Sequence, residues 1–148
     1  MSDCITKIIP RDPLFIATET SLSNAKAIIL QSIKCDSVVI EHNETPSFID
    51  CGSNLESIRC PECGEALDFG WWGEAMDGAF EGGFLTLEVE TPCCAKKTSL
   101  NELRYDFPCG FACCAVNVLN PVSSIDEKTL DSVRNILGTD VRVIQAHT

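Results

Sequence analysis

Residues 60–64, Cys60-Pro61-Glu62-Cys63-Gly64, set two cysteines three positions apart, with proline between them and glycine after. Thiols at that spacing in a tight turn aim both sulfurs at one ion, and the flanking residues suit the backbone of such a knuckle. The stretch therefore has the form of the first half of a zinc ribbon. A redox Cys-x-x-Cys would open a helix after a strand, whereas Gly64 and the polar residues beyond it favour a turn. A closed structural site needs four ligands. The best second half is Thr91-Pro92-Cys93-Cys94-Ala95, preceded by an alternating, strand-like run from Phe84 to Glu90. Cys60, Cys63 and Cys93 are thus the first three candidate ligands. The second pair is adjacent rather than spaced by two, so the fourth is Cys94, or else Cys51 or His42.

Outward from the knuckles, the two ends of the chain mirror each other. On the N-terminal side, Leu14 to Ala17 is expected as a strand. A helix follows, capped at Thr18, Thr20 or Ser21, with Leu22, Ala25, Ile29 and Ile33 at helical spacing. Val38 to Ile40 and Ser47 to Asp50 are expected as two strands around a turn at residues 42–46. On the C-terminal side, Ser99-Leu100-Asn101-Glu102 has the form of a capping box and predicts a short helix ending near Tyr105. Phe111 to Leu119 is a long buried strand. A second capping box at Ser124–Glu127 starts a helix with Leu130, Val133 and Leu137 on one face and Gly138 as its stop. Asp140 to Ala146 closes with a strand. The expected architecture is a single α+β domain over residues 1–148. It is built from βαβ-type halves in a ferredoxin-like or similar two-layer sandwich, with a zinc-ribbon-like insertion at 51–110.

Ten cysteines in 148 residues do not make a secreted disulfide scaffold here, because the chain is long for that class and residues 1–10 lack the apolar core of a secretory signal. Reduced thiols in a cytoplasm are expected instead. Cys113 and Cys114, in the Phe111–Leu119 strand, point to opposite faces and cannot readily share an ion; buried, inert thiols are expected there, as at Cys4 and Cys35. No run approaches the length of a membrane helix.

The formal net charge is −11, and residues 41–90 hold all of it, with twelve acidic residues against Arg59 alone. That excludes nucleic acid and anionic membrane as partners for this region and favours a basic protein, if any. Between the cysteine pairs, residues 68–83 hold both tryptophans and five glycines. Their composition fits a recognition loop beside the metal, or an aromatic cover for a small ribbon with little core of its own.

The sequence CPECG, followed by Trp71-Trp72-Gly73-Glu74-Ala75-Met76-Asp77, Thr91-Pro92-Cys93-Cys94 and Ser99-Leu100-Asn101-Glu102-Leu103-Arg104-Tyr105, resembles a group of uncharacterised bacterial zinc-ribbon proteins. The resemblance spans about residues 50–110. It implies zinc held by Cys60, Cys63, Cys93 and Cys94, and it implies no activity. Three functions are open on these residues. One is a non-enzymatic, protein-binding module with a closed four-cysteine zinc. The second is a hydrolase with an open three-cysteine zinc and Glu62, Glu65 or Glu74 as base. The third is a thiol redox or metal sensor using Cys51 or Cys109, or Cys94 beside Lys96 and Lys97. The histidine-rich and nucleophile motifs of common hydrolases are absent.

Overall fold

The computed structural model describes residues 3–147. In chain order the elements are β1 (Cys4–Pro10), α1 (Glu19–Ser32), β2 (Ser37–Ile49), β3 (Ile58–Arg59), α2 (Phe69–Glu81), β4 (Glu88–Glu90), β5 (Lys97–Ser99), β6 (Arg104–Tyr105), β7 (Gly110–Leu119), α3 (Glu127–Leu137) and β8 (Val141–His147). Strands β2, β7, β1 and β8 form one sheet in that spatial order, and every neighbouring pair is antiparallel. Two small sheets, β3 with β6 and β4 with β5, lie in the connection between β2 and β7.

Strand β7 is a run of small and β-branched residues, and nine of its ten positions are buried. Such a strand needs cover on both faces. On one face, Cys114, Val116 and Val118 meet Ile8 of β1, Leu22, Ala25 and Ile29 of α1, and Leu130, Val133 and Leu137 of α3. Both helices bury the side that their apolar spacing marks. Thr18 caps α1 by accepting from the Ser21 N–H, and Asp126, rather than Ser124, caps α3. Gly138 ends α3 with φ of 79°, a left-handed conformation that glycine adopts without strain.

On the other face, Ala112 and Ala115 pack with Ile9, Ile144, Ile49, Cys51 and Cys109. Phe111 reaches beyond them into a cluster with Ile58, Leu67, Phe84, Leu87, Leu100 and Leu103, all from the β2–β7 connection. Gly110 leaves room for the neighbouring Ile9 of β1 and Arg142 of β8, since a Cβ there would lie 2.8 Å from Ile9 Cδ1 and 3.1 Å from Arg142 Nη1.

Several expected elements differ. The first strand is Cys4–Pro10, while residues 14–17 are irregular because Pro13 and an Asp12 side chain accepting from the Leu14 N–H turn the chain. The two strands expected at 38–40 and 47–50 are one strand, β2, whose pairing with β7 is interrupted between His42 and Ser47. Of the run from Phe84 to Glu90, only Glu88–Glu90 is strand: Phe84 has φ of 56° and Leu85 is exposed. The capping box at Ser99 starts no helix. Asn101 is buried instead: its Oδ1 accepts from the Phe111 N–H and from Arg142 Nη1, and its Nδ2 donates to the Arg11 carbonyl. Its bonds pull the chain into a turn, and Arg104–Tyr105 then pairs with β3.

Asn101 thereby ties the connection to β7, to β8 and to the end of β1. Asn101→Ala strands the buried Phe111 N–H and leaves the part-buried Arg11 carbonyl without its donor, each costing on the order of 1–3 kcal/mol, while Arg142 Nη1 keeps the Asn101 and Cys109 carbonyls. We expect a loss of about 3 kcal/mol, seen as a lower urea midpoint with an unchanged m-value.

Candidate metal centre

Both cysteine-bearing turns are closed by the same two hydrogen bonds. In the first, the Cys60 N–H donates to the Glu65 carbonyl (2.9 Å) and the Gly64 N–H to the Cys60 carbonyl (3.0 Å). In the second, the Thr91 N–H donates to the Lys96 carbonyl (3.0 Å) and the Ala95 N–H to the Thr91 carbonyl (2.9 Å). The residue after each second cysteine is left-handed, with φ of 78° at Gly64 and 56° at Ala95. The turns therefore correspond residue by residue. Cys94 matches Cys63, and Thr91 stands where the first turn has Cys60. Thr91 is buried, and its hydroxyl lies 3.3 Å from Cys94 Sγ. Cys93, one residue earlier than Cys94, supplies the remaining sulfur. This explains the adjacent spacing of the second pair.

The sulfurs of Cys60, Cys63, Cys93 and Cys94 all lie within 4.8 Å of one another. Cys60–Cys94 is 3.8 Å, Cys63–Cys93 is 3.3 Å and Cys93–Cys94 is 4.0 Å. Four sulfurs bound tetrahedrally at about 2.3 Å from a metal sit about 3.8 Å apart. The cluster thus has the size, number and ligand chemistry to hold one thiophilic ion. Cys60 is fully buried, Cys94 partly so, and Cys63 and Cys93 face solvent.

The thiols compete for charge. Burial pushes Cys60 up, but the N–H groups of Cys63 and Glu62, with Thr91 and Cys93, outweigh it and bring the thiol down to about 6. At Cys63 the Glu65 N–H favours the thiolate, yet the neighbouring Cys93, burial, Cys60 and Cys94 together push the thiol up to about 12. One thiolate forms easily and the next resists a second negative charge beside it.

The other candidates lie elsewhere. His42 is on β2, opposite Cys114 in the sheet, and Cys51 touches Cys109 across 3.3 Å. Neither belongs to the cluster. Cys113 and Cys114 are both buried, Cys114 in the core beneath the helices and the Cys113 Sγ donating to the Pro13 carbonyl, and burial pushes both thiols up. Glu62 and Glu65 are exposed on the first turn and Glu74 is exposed on α2. Lys97 pairs with Glu88 at the surface.

The glycine-rich segment is a helix, not a loop. Asp68 caps α2 by accepting from the Trp71 N–H. Trp71, Trp72, Ala75, Met76 and Ala79 lie against the cluster around Phe111. The Trp72 ring donates to the Tyr105 hydroxyl, which donates to the Leu100 carbonyl. Sequence reasoning did not find this helix, because three internal glycines argue against one. The role of Thr91 was also missed, although Thr91-x-x-Cys94-Ala95 repeats the spacing of Cys60-x-x-Cys63-Gly64.

No known protein family, curated protein or solved structure matches the chain. Among the described residues no helix is long and apolar enough to cross a membrane.

The correspondence of the turns is testable. Cys93→Ser should lower metal affinity by on the order of a hundredfold, about one ligand's share of a structural site. Adding Thr91→Cys to that variant should recover most of the loss, measured by competition with a chromogenic chelator. Since the sulfurs bind as thiolates, acidification should displace the metal from the wild type, and a dye reporting free metal would follow its release.

Proposed function

We propose that this protein is a non-enzymatic, zinc-stabilised module that binds a basic protein segment. The reading rests on one observation: the four cysteine sulfurs lie within 4.8 Å of one another, enough to supply all four ligands of a tetrahedral ion. Such a site leaves no open position for a substrate or a reactive water, and a cysteine-only donor set is characteristic of structural zinc. Zinc is the ion that best suits four thiolates in this geometry. It would bind through Cys60, Cys63, Cys93 and Cys94 and cross-link two turns that carry only short strands. The resemblance to bacterial zinc-ribbon proteins agrees with that assignment.

Architecture and compartment follow the same reading. The strand order β2-β7-β1-β8 with antiparallel neighbours is the order of a ferredoxin-like βαββαβ sandwich. The expected insertion at 51–110 then falls between its second and third strands, overlapping the third at Gly110. Ten free cysteines suit a reducing compartment such as the cytoplasm.

The binding surface is the outer side of α2. Phe69 and Phe80 are 45% and 69% exposed, and Leu85, four residues beyond the end of the helix, is exposed too. Phe69, Gly73 and Phe80 recur at i, i+4 and i+11 along the border of the packed side, where Met76 turns in against the core. Glu74, Asp77 and Glu81 flank that border, and none has an ion-pair partner among the described residues. Apolar anchors bordered by unpaired carboxylates complement a segment with apolar and cationic residues.

Affinity capture from the native host tests this. The zinc-loaded wild type should enrich a basic protein, with capture weakening as salt rises. A Phe69→Ser, Phe80→Ser variant should keep its zinc and lose that protein. Equal recovery by both proteins, or no basic protein enriched by the wild type, would count against the surface.

A further inference from the structure

Cys51 and Cys109 form a second cysteine pair, separate from the four-sulfur cluster. The Cys109 Sγ donates to the Cys51 Sγ across 3.3 Å. Cys51 lies two residues beyond β2 and Cys109 one residue before β7, next to the last register pair of those strands, Ile49 with Gly110. The backbone holds both in place. The Cys51 carbonyl accepts from the His147 N–H, and the Cys109 carbonyl accepts from Arg142 Nη1 at 2.9 Å. The surroundings are Ile9, Ile49, Ala112 and Ile144, so the sulfurs have little room to separate.

Both thiols are buried, Cys51 at 0% and Cys109 at 2% exposure, and Cys109 is the one that borders an open cleft of about 370 Å³, with Asn101, Tyr105, Pro108 and Arg142. A cleft of that volume has room for a molecule the size of a peroxide. Burial and the adjacent Cys51 push the Cys109 thiol up, so it stays protonated and reacts slowly.

We propose that Cys51 and Cys109 are an oxidative modification site, forming an intramolecular disulfide with small oxidants of the peroxide class. In the first step the Cys109 sulfur loses its proton and attacks one peroxide oxygen. The O–O bond breaks, and Cys109 becomes a sulfenic acid as one water is released. The Cys51 sulfur, already in contact, attacks the Cys109 sulfur. The S–S bond forms, the S–O bond breaks, and a second water carries away the Cys51 proton. Two thiols are oxidised by two electrons and one peroxide is reduced to two waters. The first step is slow and the second fast, because contact replaces a bimolecular encounter. The bond would close the chain at the base of residues 51–109, the segment carrying all four cluster cysteines.

The test uses the metal-loaded full chain with hydrogen peroxide over several hours, followed by alkylation under denaturing conditions and peptide mapping without reductant. The expected product is one Cys51–Cys109 cross-linked peptide. Its yield should be independent of protein concentration, and dimedone should trap little sulfenic acid. The oxidised wild type should also unfold at a higher urea concentration than the reduced form, and Cys109→Ser and Cys51→Ala should each abolish that difference. If Cys51 and Cys109 both remain fully alkylatable while exposed cysteines such as Cys4 are oxidised, the proposal fails. It also fails if Cys109 accumulates as a dimedone adduct, or if the cross-link joins other cysteines.

Discussion

Strand β7 needs cover on both faces, and the fold is organised around meeting that need. Nine consecutive positions from Gly110 to Val118 are buried, including the adjacent thiols Cys113 and Cys114. An antiparallel sheet of four strands normally leaves one face to water. Here α1 and α3 occupy one face, and the β2–β7 connection lies over part of the other through Phe111 and the alanines beside it. The connection is therefore not an appendage. Its own core and the sheet's second core share Phe48, Leu55 and Tyr105 at their border.

The same constraint explains why the connection depends on cross-links. Its strands are two or three residues long and its one helix has no fully buried residue. Hydrogen-bonded strands of that length contribute little by themselves. Three devices hold it instead. Asn101 and Arg142 bind it to the sheet by buried hydrogen bonds, Trp72 and Tyr105 clasp α2 to the turn at Leu100, and the four sulfurs draw the two cysteine turns together. The proposed zinc turns the last of these from a cluster of competing thiols into a coordination bond network. The protein-facing surface proposed for α2 then stands on a rigid base.

Legibility in the sequence followed the range of the interaction. Helices α1 and α3 were readable because their apolar spacing and caps lie within one segment: Thr18, Leu22, Ala25 and Ile29, then Leu130, Val133, Leu137 and Gly138. The buried strand at 111–119 was readable from an unbroken apolar run. The first cysteine turn was readable because Cys60, Cys63 and Gly64 carry a local geometry. The second was harder, since Thr91 hides the match to Cys60 behind a different side chain. Helix α2 was not readable, because Gly70, Gly73 and Gly78 lower its intrinsic propensity and only its packing against Phe48 and Tyr105 sets the outcome. The capping-box pattern at Ser99 was overruled by the buried bonds of Asn101, whose partners lie at Arg11, Phe111 and Arg142.

The sequence by itself determined helices α1 and α3, the strands on either side of α3, the acidic character of residues 41–90 and three candidate sulfur ligands, because each depends on near neighbours in the chain or on composition; the first strand, expected at 14–17, lies at Cys4–Pro10. Only the tertiary structure decided that Cys94 joins the cluster while Cys51 and His42 do not. It also decided that Cys51 meets Cys109 and that the aromatic segment is a helix on the sheet's second face. Those outcomes depend on contacts between residues tens of positions apart, which spacing along the chain does not encode.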